Sequence, residues 1–184
     1  MARVTNNLFI GGGLTDAVYV APAGTTFPTG VAAPAVTFKE FGWLGEDGIE
    51  FSPNVDRKEF RAHQAGTIVR RKITQSGRTV TVTALETNKN VLDLYNPGTT
   101  WVDSTTFVTG TIPEGISTAQ MAWVIDSFDT STGYQDRYCF TGEATPTGSF
   151  KLGVEDIKAY QFEIAIYGAI LHLSNNASLL TDVT

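Results

Sequence analysis

The sequence predicts a mainly β protein, a β-sandwich or a rolled barrel, with one short flanking α-helix. Residues 78–85 alternate between Val or Ala on one side and Thr on the other, which is the period of a half-buried strand. Similar segments recur along the chain, separated by turns that contain Gly, such as Asp47-Gly48 and Thr132-Gly133. Only residues 87–95 space their apolar side chains as a helix does.

Six strands are predicted in the first half of the chain. They lie at residues 16–21, 36–43, 48–52, 56–63, 67–74 and 78–85. The turn Gly45-Glu46-Asp47-Gly48 separates the second strand from the third, because Asp-Gly favours a tight turn with Gly at positive φ. Ser76-Gly77 is predicted as a turn before the sixth strand.

The fourth and fifth strands form a hairpin with charges on both faces. Its charged residues are Arg57, Lys58, Glu59, Arg61, Arg70, Arg71 and Lys72. A strand pair that is polar on both faces buries little apolar surface in its own subunit. We therefore expect this hairpin to be either mobile or covered by a partner.

The predicted helix spans residues 87–95. Thr87 or Asn88 can cap its first turn, because a short polar side chain accepts hydrogen bonds from free backbone N–H groups there. Val91, Leu92 and Tyr95 fall on one side, and residues 96–98 (Asn-Pro-Gly) end the helix.

The second half is predicted to return to strands. They lie at residues 105–111, 120–129, 134–144, 150–154 and 157–167. The whole chain, residues 1–184, is predicted to be one domain with an N-terminal arm at about 1–14 and a loose C-terminal tail at about 170–184. A long loop at 22–34 has no charge but contains Phe27 and Val31. This loop is either an ordinary surface loop or one that packs on a neighbouring subunit.

Composition favours a protein made in the cytoplasm. The 184 residues have a net charge of -6 and a single cysteine, Cys139, which excludes an intrachain disulfide. No apolar run is long enough for a signal peptide or for the roughly 20 residues of a membrane span. We therefore expect a soluble protein without membrane insertion.

Motifs for catalysis, metal binding or cofactor binding are absent from the sequence. His63 and His172 are far apart and lack metal-ligand spacing. Cys139 lies in a strand pattern without a nearby His and is interpreted as a small core thiol. The three glycines at 11–13 lack the Lys-Ser or Lys-Thr of a phosphate loop. The sequence therefore predicts no enzyme, no metal and no cofactor.

One basic cluster stands out in this acidic chain. Arg61, Arg70, Arg71 and Arg78 lie on or next to the predicted hairpin. A site for single-stranded nucleic acid would interleave aromatic residues, and this hairpin offers only Phe60. Arginine also binds carboxylates with two hydrogen bonds. We therefore favour contact with the carboxylates of an adjacent subunit.

Four segments in a fixed order resemble a known family. They are residues 16–26 (DAVYVAPAGTT), 42–51 (GWLGEDGIEF), 65–71 (AG, then VRR) and 85–92 (LETNK, then VL). By their order and spacing, the chain resembles the major tail proteins, or tail tube proteins, of long-tailed, non-contractile phages. The resemblance is strongest to the major tail proteins of phages that infect actinobacteria.

This resemblance implies the tail-tube fold, which is shared with type VI secretion tubes, and a structural role in the virion tail. Such proteins form hexameric rings whose strands join into one inner β-barrel, and the rings stack into a tube that delivers the genome. The implied partners are further copies of the chain, tape-measure and tail-tip or terminator proteins, and double-stranded DNA that passes without specific binding. Assembly would occur in the host cytoplasm.

The same resemblance suggests roles for particular residues. The interface candidates on the hairpin and the loop are Arg57, Arg61, Arg70, Arg71, Phe27 and Val31. The candidates to line the lumen, taken from strand faces and turns, are Glu46, Asp47, Glu50 and Glu163. The helix is expected outside the inner barrel, with Val91, Leu92 and Tyr95 covering a sheet face.

Three other functions are weighed against this one. The first is an inner tube protein of a contractile tail or of a type VI secretion system. The second is a β-sandwich that binds carbohydrate, with Trp43, Trp101 and Trp123 as a stacking platform. However, Trp43 and Trp123 lie in predicted strands and fit core positions better, and only Trp101 lies in a predicted loop. The third is a hydrolase that uses scattered carboxylates such as Glu46-Asp47 and Glu155-Asp156.

Overall fold

The computed structural model describes residues 9–63 and 66–176, and this part of the chain forms nine strands and one helix. The strands are β1 (Ala17–Pro22), β2 (Lys39–Glu40), β3 (Leu44–Arg61), β4 (Ile68–Ala84), β5 (Thr100–Asp103), β6 (Val108–Thr111), β7 (Gln120–Phe128), β8 (Gln135–Thr147) and β9 (Tyr160–Ser174). The helix α1 is Lys89–Tyr95. The predicted mainly β class with one short helix is confirmed.

Seven strands form one antiparallel sheet in the order β2-β1-β7-β8-β9-β4-β3, and β5 and β6 pair separately. Strands β2 and β3 lie at opposite ends of this order, yet only Phe41, Gly42 and Trp43 connect them. Four residue steps span at most about 14 Å, so the two ends of the sheet must lie close together. The sheet is therefore rolled, which is the second of the two predicted forms.

The main hydrophobic core fills the inside of the roll. Val18 of β1 and Val82 of β4 belong to one buried cluster although three strands separate β1 from β4 in the sheet. Phe51 of β3 reaches across to Tyr138 of β8, with ring centroids 5.0 Å apart. A second buried cluster lies on the outer face. Strand β7 is consequently buried on both faces, which explains its nearly continuous apolar sequence.

Helix α1 packs against the core through the side that the sequence predicts. Val91 is fully buried, and Leu92 and Tyr95 pack on the main cluster. The side chain of Asn88 caps the helix by accepting a hydrogen bond from Val91 N at 3.0 Å. The same side chain donates to Phe41 O at 2.9 Å, so the cap also fixes the chain that connects β2 to β3.

The turns predicted at residues 45–48 and 76–77 are wrong. Residues 45–48 lie within the single long strand β3, and residues 76–77 lie within β4. Leu44 pairs with Ala84, and the next paired residue, Ile49, faces Val82, so the residues between them form a β-bulge. Gly48 has a φ of 69° in this bulge, which is the conformation that the Asp-Gly pair signalled. Ser76 and Gly77 pair with Val55 and Asn54 in mid-strand.

Other predicted boundaries also differ from the structure. The strand predicted at 36–43 is reduced to β2, no strand forms at 150–154, and β5 was not predicted. Strand β9 continues to Ser174, so residues 170–174 belong to the sheet rather than to a loose tail. The remainder of that tail from 177, and residues 1–8 of the predicted arm, lie outside the described residues.

Candidate assembly surfaces

The far ends of β3 and β4 leave the sheet as a two-stranded ribbon. Strand β4 pairs with β9 only from Thr79 to Ala84, whereas its pairing with β3 extends out to Ile68. We call residues 54–61 and 68–77 the ribbon. Every residue of the ribbon is exposed. An isolated pair of strands is at best marginally stable in water, so this feature favours a partner that covers it.

The ribbon is basic, whereas the rest of the chain is strongly acidic. Between residues 54 and 77 there are six Lys or Arg and two acidic residues, a net charge of +4. The whole chain has a net charge of -6, so the remainder has -10. Glu59 binds Arg61 and Arg71, each at 3.0 Å, which satisfies two of the six cations. Both pairs are exposed, so each contributes little to stability.

One face of the ribbon has three cations that make no ion pair among the described residues. Lys58 lies directly opposite Lys72, and Phe60 lies opposite Arg70. Like charges at opposite positions of a strand pair are destabilising. None of these three cations has an ion pair within residues 9–63 and 66–176, although Lys58 lies 5.8 Å from the ring of Phe60. These three cations therefore lack the carboxylate partners that would stabilise them.

The structure thus brings together the four predicted interface arginines, Arg57, Arg61, Arg70 and Arg71, on the ribbon. The two apolar interface candidates lie elsewhere, in the loop after β1. Phe27 is half-buried against the outer cluster of its own subunit, and Val31 is also half-buried.

A buried arginine that the sequence analysis missed holds this loop. Arg137 Nη1 donates to the carbonyl oxygens of Gly30 and Ala32, each at 2.6 Å. Its other nitrogens bind Asp126 through two bonds of 2.6 Å, and both side chains are almost fully buried. Asp126 and Arg137 are direct partners across β7 and β8. The loop at 22–34 is therefore fixed to its own subunit by a charged clamp.

A polar face covers the outside of the sheet where β3, β4, β9 and β8 run side by side. One row across these strands consists of Glu50, Thr81, Glu163 and Thr145. The next positions on the same face are Ser52, Thr79, Thr83 and Gln161. We call these eight residues the polar sheet face, and none of them is a cation. Two lumen candidates, Glu50 and Glu163, lie on it.

The other two lumen candidates, Glu46 and Asp47, lie in the β3 bulge and line a cleft of about 890 Å³. We call it the acidic cleft because, among the residues that the structure describes, its charged lining residues are all acidic: Asp16, Glu40, Glu46, Asp47, Glu86 and Asp136. Apolar side chains border it as well. Trp43 is 62% exposed and Leu14 is 88% exposed. The expected core position of Trp43 is therefore wrong.

Half of the cleft's carboxylates already have partners. Asp16 accepts hydrogen bonds from Gly12 N at 2.8 Å and from Phe128 N at 2.7 Å. Glu86 accepts one from Trp43 N at 3.0 Å, and Asp136 lies 3.3 Å from His172 Nε2. In the described part of the chain, the side chains of Glu40, Glu46 and Asp47 form neither a hydrogen bond nor an ion pair. These three are free to meet external cations.

The described residues offer little for catalysis. They contain no group of three His, Cys, Asp or Glu side chains placed to hold a metal ion. Cys139 is buried as predicted, and burial raises the pKa of its thiol to about 11, so the reactive thiolate is scarce at neutral pH. Trp123 is fully buried, and Trp101 donates its Nε1–H to Asp93 at 2.6 Å. The three tryptophans therefore cannot form a shared stacking platform.

Comparison with known proteins gives the family. Residues 1–170 match the phage tail tube protein family, so the chain belongs to that family. No match was found among curated proteins. A solved structure similar to this chain is the tail of an empty GTA particle, computed with helical refinement in C6 symmetry. It is 10% identical, with 92% of this chain and 98% of that chain covered and a TM-score of 0.44.

The predicted family is thereby confirmed, and with it a structural role in the tail tube of a phage-type virion. This role accounts for a chain whose conspicuous features are surfaces rather than a catalytic constellation. No helix in the described ranges is both long and apolar enough to cross a membrane.

Proposed function

We propose that copies of this chain join into hexameric rings that stack into the tail tube, through which the genome is delivered into the host. The observation that carries this proposal is the ribbon: two exposed strands with a net charge of +4, which extend out of their own subunit. Such a ribbon is stabilised only when another molecule covers it. Family membership supports further copies of the chain as that molecule.

The free edge of β3 supports the same proposal. This strand is 18 residues long and pairs with β4 alone among the described strands, so its other edge is open. A long open edge exposes backbone N–H and C=O groups and is an aggregation hazard unless something covers it. In a ring of subunits, each β3 edge would pair with the sheet of the next subunit, and a closed inner barrel would leave no edge.

We propose that the polar sheet face lines the channel. Its two carboxylates, Glu50 and Glu163, lie in one row with Thr81 and Thr145, and the face has no cation. A cation-lined channel would bind DNA phosphates and slow their passage, because each phosphate contact adds affinity. A weakly acidic wall repels the phosphates instead and lets DNA slide. Glu46 and Asp47, the other two lumen candidates, line the acidic cleft and not this face.

The remaining partners belong to the same proposal. Tape-measure and tail-tip or terminator proteins would set where the tube begins and ends, and assembly would take place in the host cytoplasm. The resemblance to non-contractile tails favours a tube without a sheath. A contractile tail or a type VI secretion tube is the alternative within the same structural class.

The test is negative-stain electron microscopy of the purified chain at rising concentration, with the mass in solution measured in parallel. Rings or tubes with six-fold end views and an open channel are the expected result. A compact monomer at every concentration would contradict self-assembly of the chain. In that case the exposed Trp43 would make carbohydrate binding the next function to screen, because sugars stack on exposed aromatic rings.

A further inference from the structure

Two surfaces of this subunit have opposite charges that the described residues leave unneutralised. The ribbon presents Lys58, Arg70 and Lys72 without carboxylate partners. The acidic cleft presents Glu40, Glu46 and Asp47 without cationic partners, and none of the described residues that line it is Lys or Arg. From this complementarity we infer that the ribbon of one copy lies in the acidic cleft of the next copy. The inference rests on the proposed self-assembly and names the two surfaces that meet.

The ribbon cannot occupy the cleft of its own subunit. Phe51, near the base of the ribbon, is part of the cleft wall, while Arg61 at the far end lies ten residues further along the same strand. At about 3.3 Å per residue, the two positions are about 33 Å apart. A paired ribbon cannot fold back over that length without breaking its ladder. The cleft must therefore receive a ribbon from a second copy.

The chemistry of the two surfaces fits. An arginine fork forms two parallel hydrogen bonds with a carboxylate, and such charged bonds are about twice as strong as neutral ones. Arg70 can meet Glu46 or Asp47 in this way. Phe60 lies on the same face of the ribbon, and Trp43 and Leu14 border the cleft, so the contact also buries apolar surface.

The contact also has the symmetry that a tube requires. The ribbon and the acidic cleft are different surfaces, and every copy has one of each. A contact between unlike surfaces is heterologous, and its repetition produces a closed ring or an open helical array rather than a closed dimer. The same pair of surfaces can therefore join any number of copies.

Charge reversal tests this pairing. The ribbon variant is Lys58→Glu with Arg70→Glu, and the cleft variant is Glu46→Lys with Asp47→Lys. A combined variant contains all four changes. All four residues are exposed and make no ion pair within residues 9–63 and 66–176, so the variants should fold. Matched controls make the same change in net charge at residues that likewise form no ion pair in the described ranges: Lys151→Glu with Lys158→Glu, and Glu155→Lys with Asp156→Lys.

We expect the ribbon variant and the cleft variant each to need at least about tenfold more protein than the wild type to form tubes, since each places like charges in the contact. The combined variant should return close to the wild-type concentration, because a negative ribbon then meets a positive cleft. Both controls should assemble as the wild type does. Circular dichroism checks that each variant is folded.

Several outcomes would overturn the inference. If both single-surface variants assemble normally, or if the combined variant assembles no better than they do, the ribbon does not lie in the cleft. If only the ribbon variant fails and the combined variant fails equally, the ribbon binds another anion, such as DNA. In these cases tubes of the wild type would leave the proposed function standing. A wild type that never assembles would overturn both proposals.

Discussion

Arg137 and Asp126 are the residues whose removal should harm the isolated subunit most. They form a two-bond ion pair that is almost fully buried, and Arg137 also binds the carbonyl oxygens of Gly30 and Ala32. Removing one member of a buried ion pair leaves the other charge without compensation. The clamp therefore keeps the loop at 22–34 in place, and breaking it should lower the stability of the subunit strongly.

We expect Arg137→Leu to lower the free energy of unfolding by about 3–5 kcal/mol. The control is Arg78→Leu, because Arg78 is exposed and makes no ion pair among the described residues, and its change should stay within about 0.5 kcal/mol. Urea denaturation followed by tryptophan fluorescence measures both. A loss below about 1 kcal/mol for Arg137→Leu would show that the pair adds little.

Asp129 makes stability depend on pH in the acid range. Its carboxylate accepts hydrogen bonds from the Ser131 hydroxyl, from Ser131 N at 2.8 Å and from Ile10 N at 3.3 Å. These bonds favour the charged form and lower the pKa from 3.8 to about 2, against the opposing effect of burial. Because the folded pKa is lower than the unfolded one, the stabilisation is complete above pH 4 and is lost as the pH falls toward 2.

Between pH 4 and pH 2, the wild type should therefore lose stability more steeply than Asp129→Asn. Ser131→Ala removes the main cause of the shift and should give an intermediate slope. Thermal unfolding at half-unit pH intervals measures the three slopes. Equal slopes for the wild type and Asp129→Asn would show that Asp129 does not cause the pH dependence of stability in this range.

Cys139 should be unreactive while the protein is folded. Burial raises the pKa of its thiol to about 11, and the residue is 1% exposed. At pH 8 we expect iodoacetamide to modify it only after unfolding in urea, since the thiolate is the reactive form. Mass spectrometry measures the modified fraction. Rapid modification of the folded chain would show that this part of the sheet opens readily.

At the scale of elements, the ribbon and the rolled sheet differ in what they contribute to folding. The ribbon buries almost nothing in the subunit, whereas β7, β8 and β9 supply seven of the fourteen buried residues of the main core cluster. We therefore expect the ribbon to act in assembly and the rest of the domain to be stable without it. This separation predicts that folding and assembly can be uncoupled.

A shortened chain tests that separation. Residues 57–74 are replaced by Asn-Gly, which connects Asp56 to Gln75, its partner in the ladder, through a two-residue turn. The melting temperature should change by no more than about 4 °C, which corresponds to about 1 kcal/mol for a domain of this size. Tubes should not form at any concentration at which the wild type forms them. A variant that fails to fold would show that the ribbon stabilises the subunit.

The sequence identifies elements whose local pattern has one explanation. The alternation of Val80, Val82 and Ala84 with threonines predicts a half-buried strand. Asn88, followed by an apolar helical face, predicts the start of α1. The bulge at Gly48 could not be told from a turn, since both place Gly at positive φ after Asp. The local sequence around Gly48 does not distinguish a strand that ends in a turn from one that continues through a bulge.

The surfaces were harder to predict because they depend on pairing between distant segments. The basic ribbon could be predicted from the sequence, since its charged residues are close together in the chain. The acidic cleft combines Asp16 and Asp136 with Glu46 and Asp47 of β3, which only the rolled sheet brings to one place. The Asp126–Arg137 clamp depends on the register between β7 and β8. The polar sheet face likewise depends on the rows that align Glu50 with Glu163.

At the scale of the whole molecule, the subunit separates its charge into a basic extension and an acidic body. This separation leaves the polar sheet face free of cations, which is what a DNA channel requires. The channel proposal can therefore be tested apart from the assembly contact.

Tubes made from Glu50→Lys with Glu163→Lys should bind double-stranded DNA, whereas wild-type tubes should not. The two lysines would repeat on every subunit around the channel and contact phosphates. Co-sedimentation of fluorescent DNA with tubes at low salt measures binding. Tubes of Glu155→Lys with Asp156→Lys, which change charge by the same amount on an exposed connection, serve as the control. Equal binding by the two variants would place the polar sheet face elsewhere than on the channel wall.

The three-residue connection between β2 and β3 also has a mechanical consequence. A pull on the ribbon along its length reaches the sheet at both ends of the strand order, through the ladder to β4 and through Phe41–Trp43 to β2 and β1. Ladder hydrogen bonds lie perpendicular to the strands, so such a pull shears many of them at once instead of opening them one by one. A subunit under tension along the tube would thus share the load across its whole sheet.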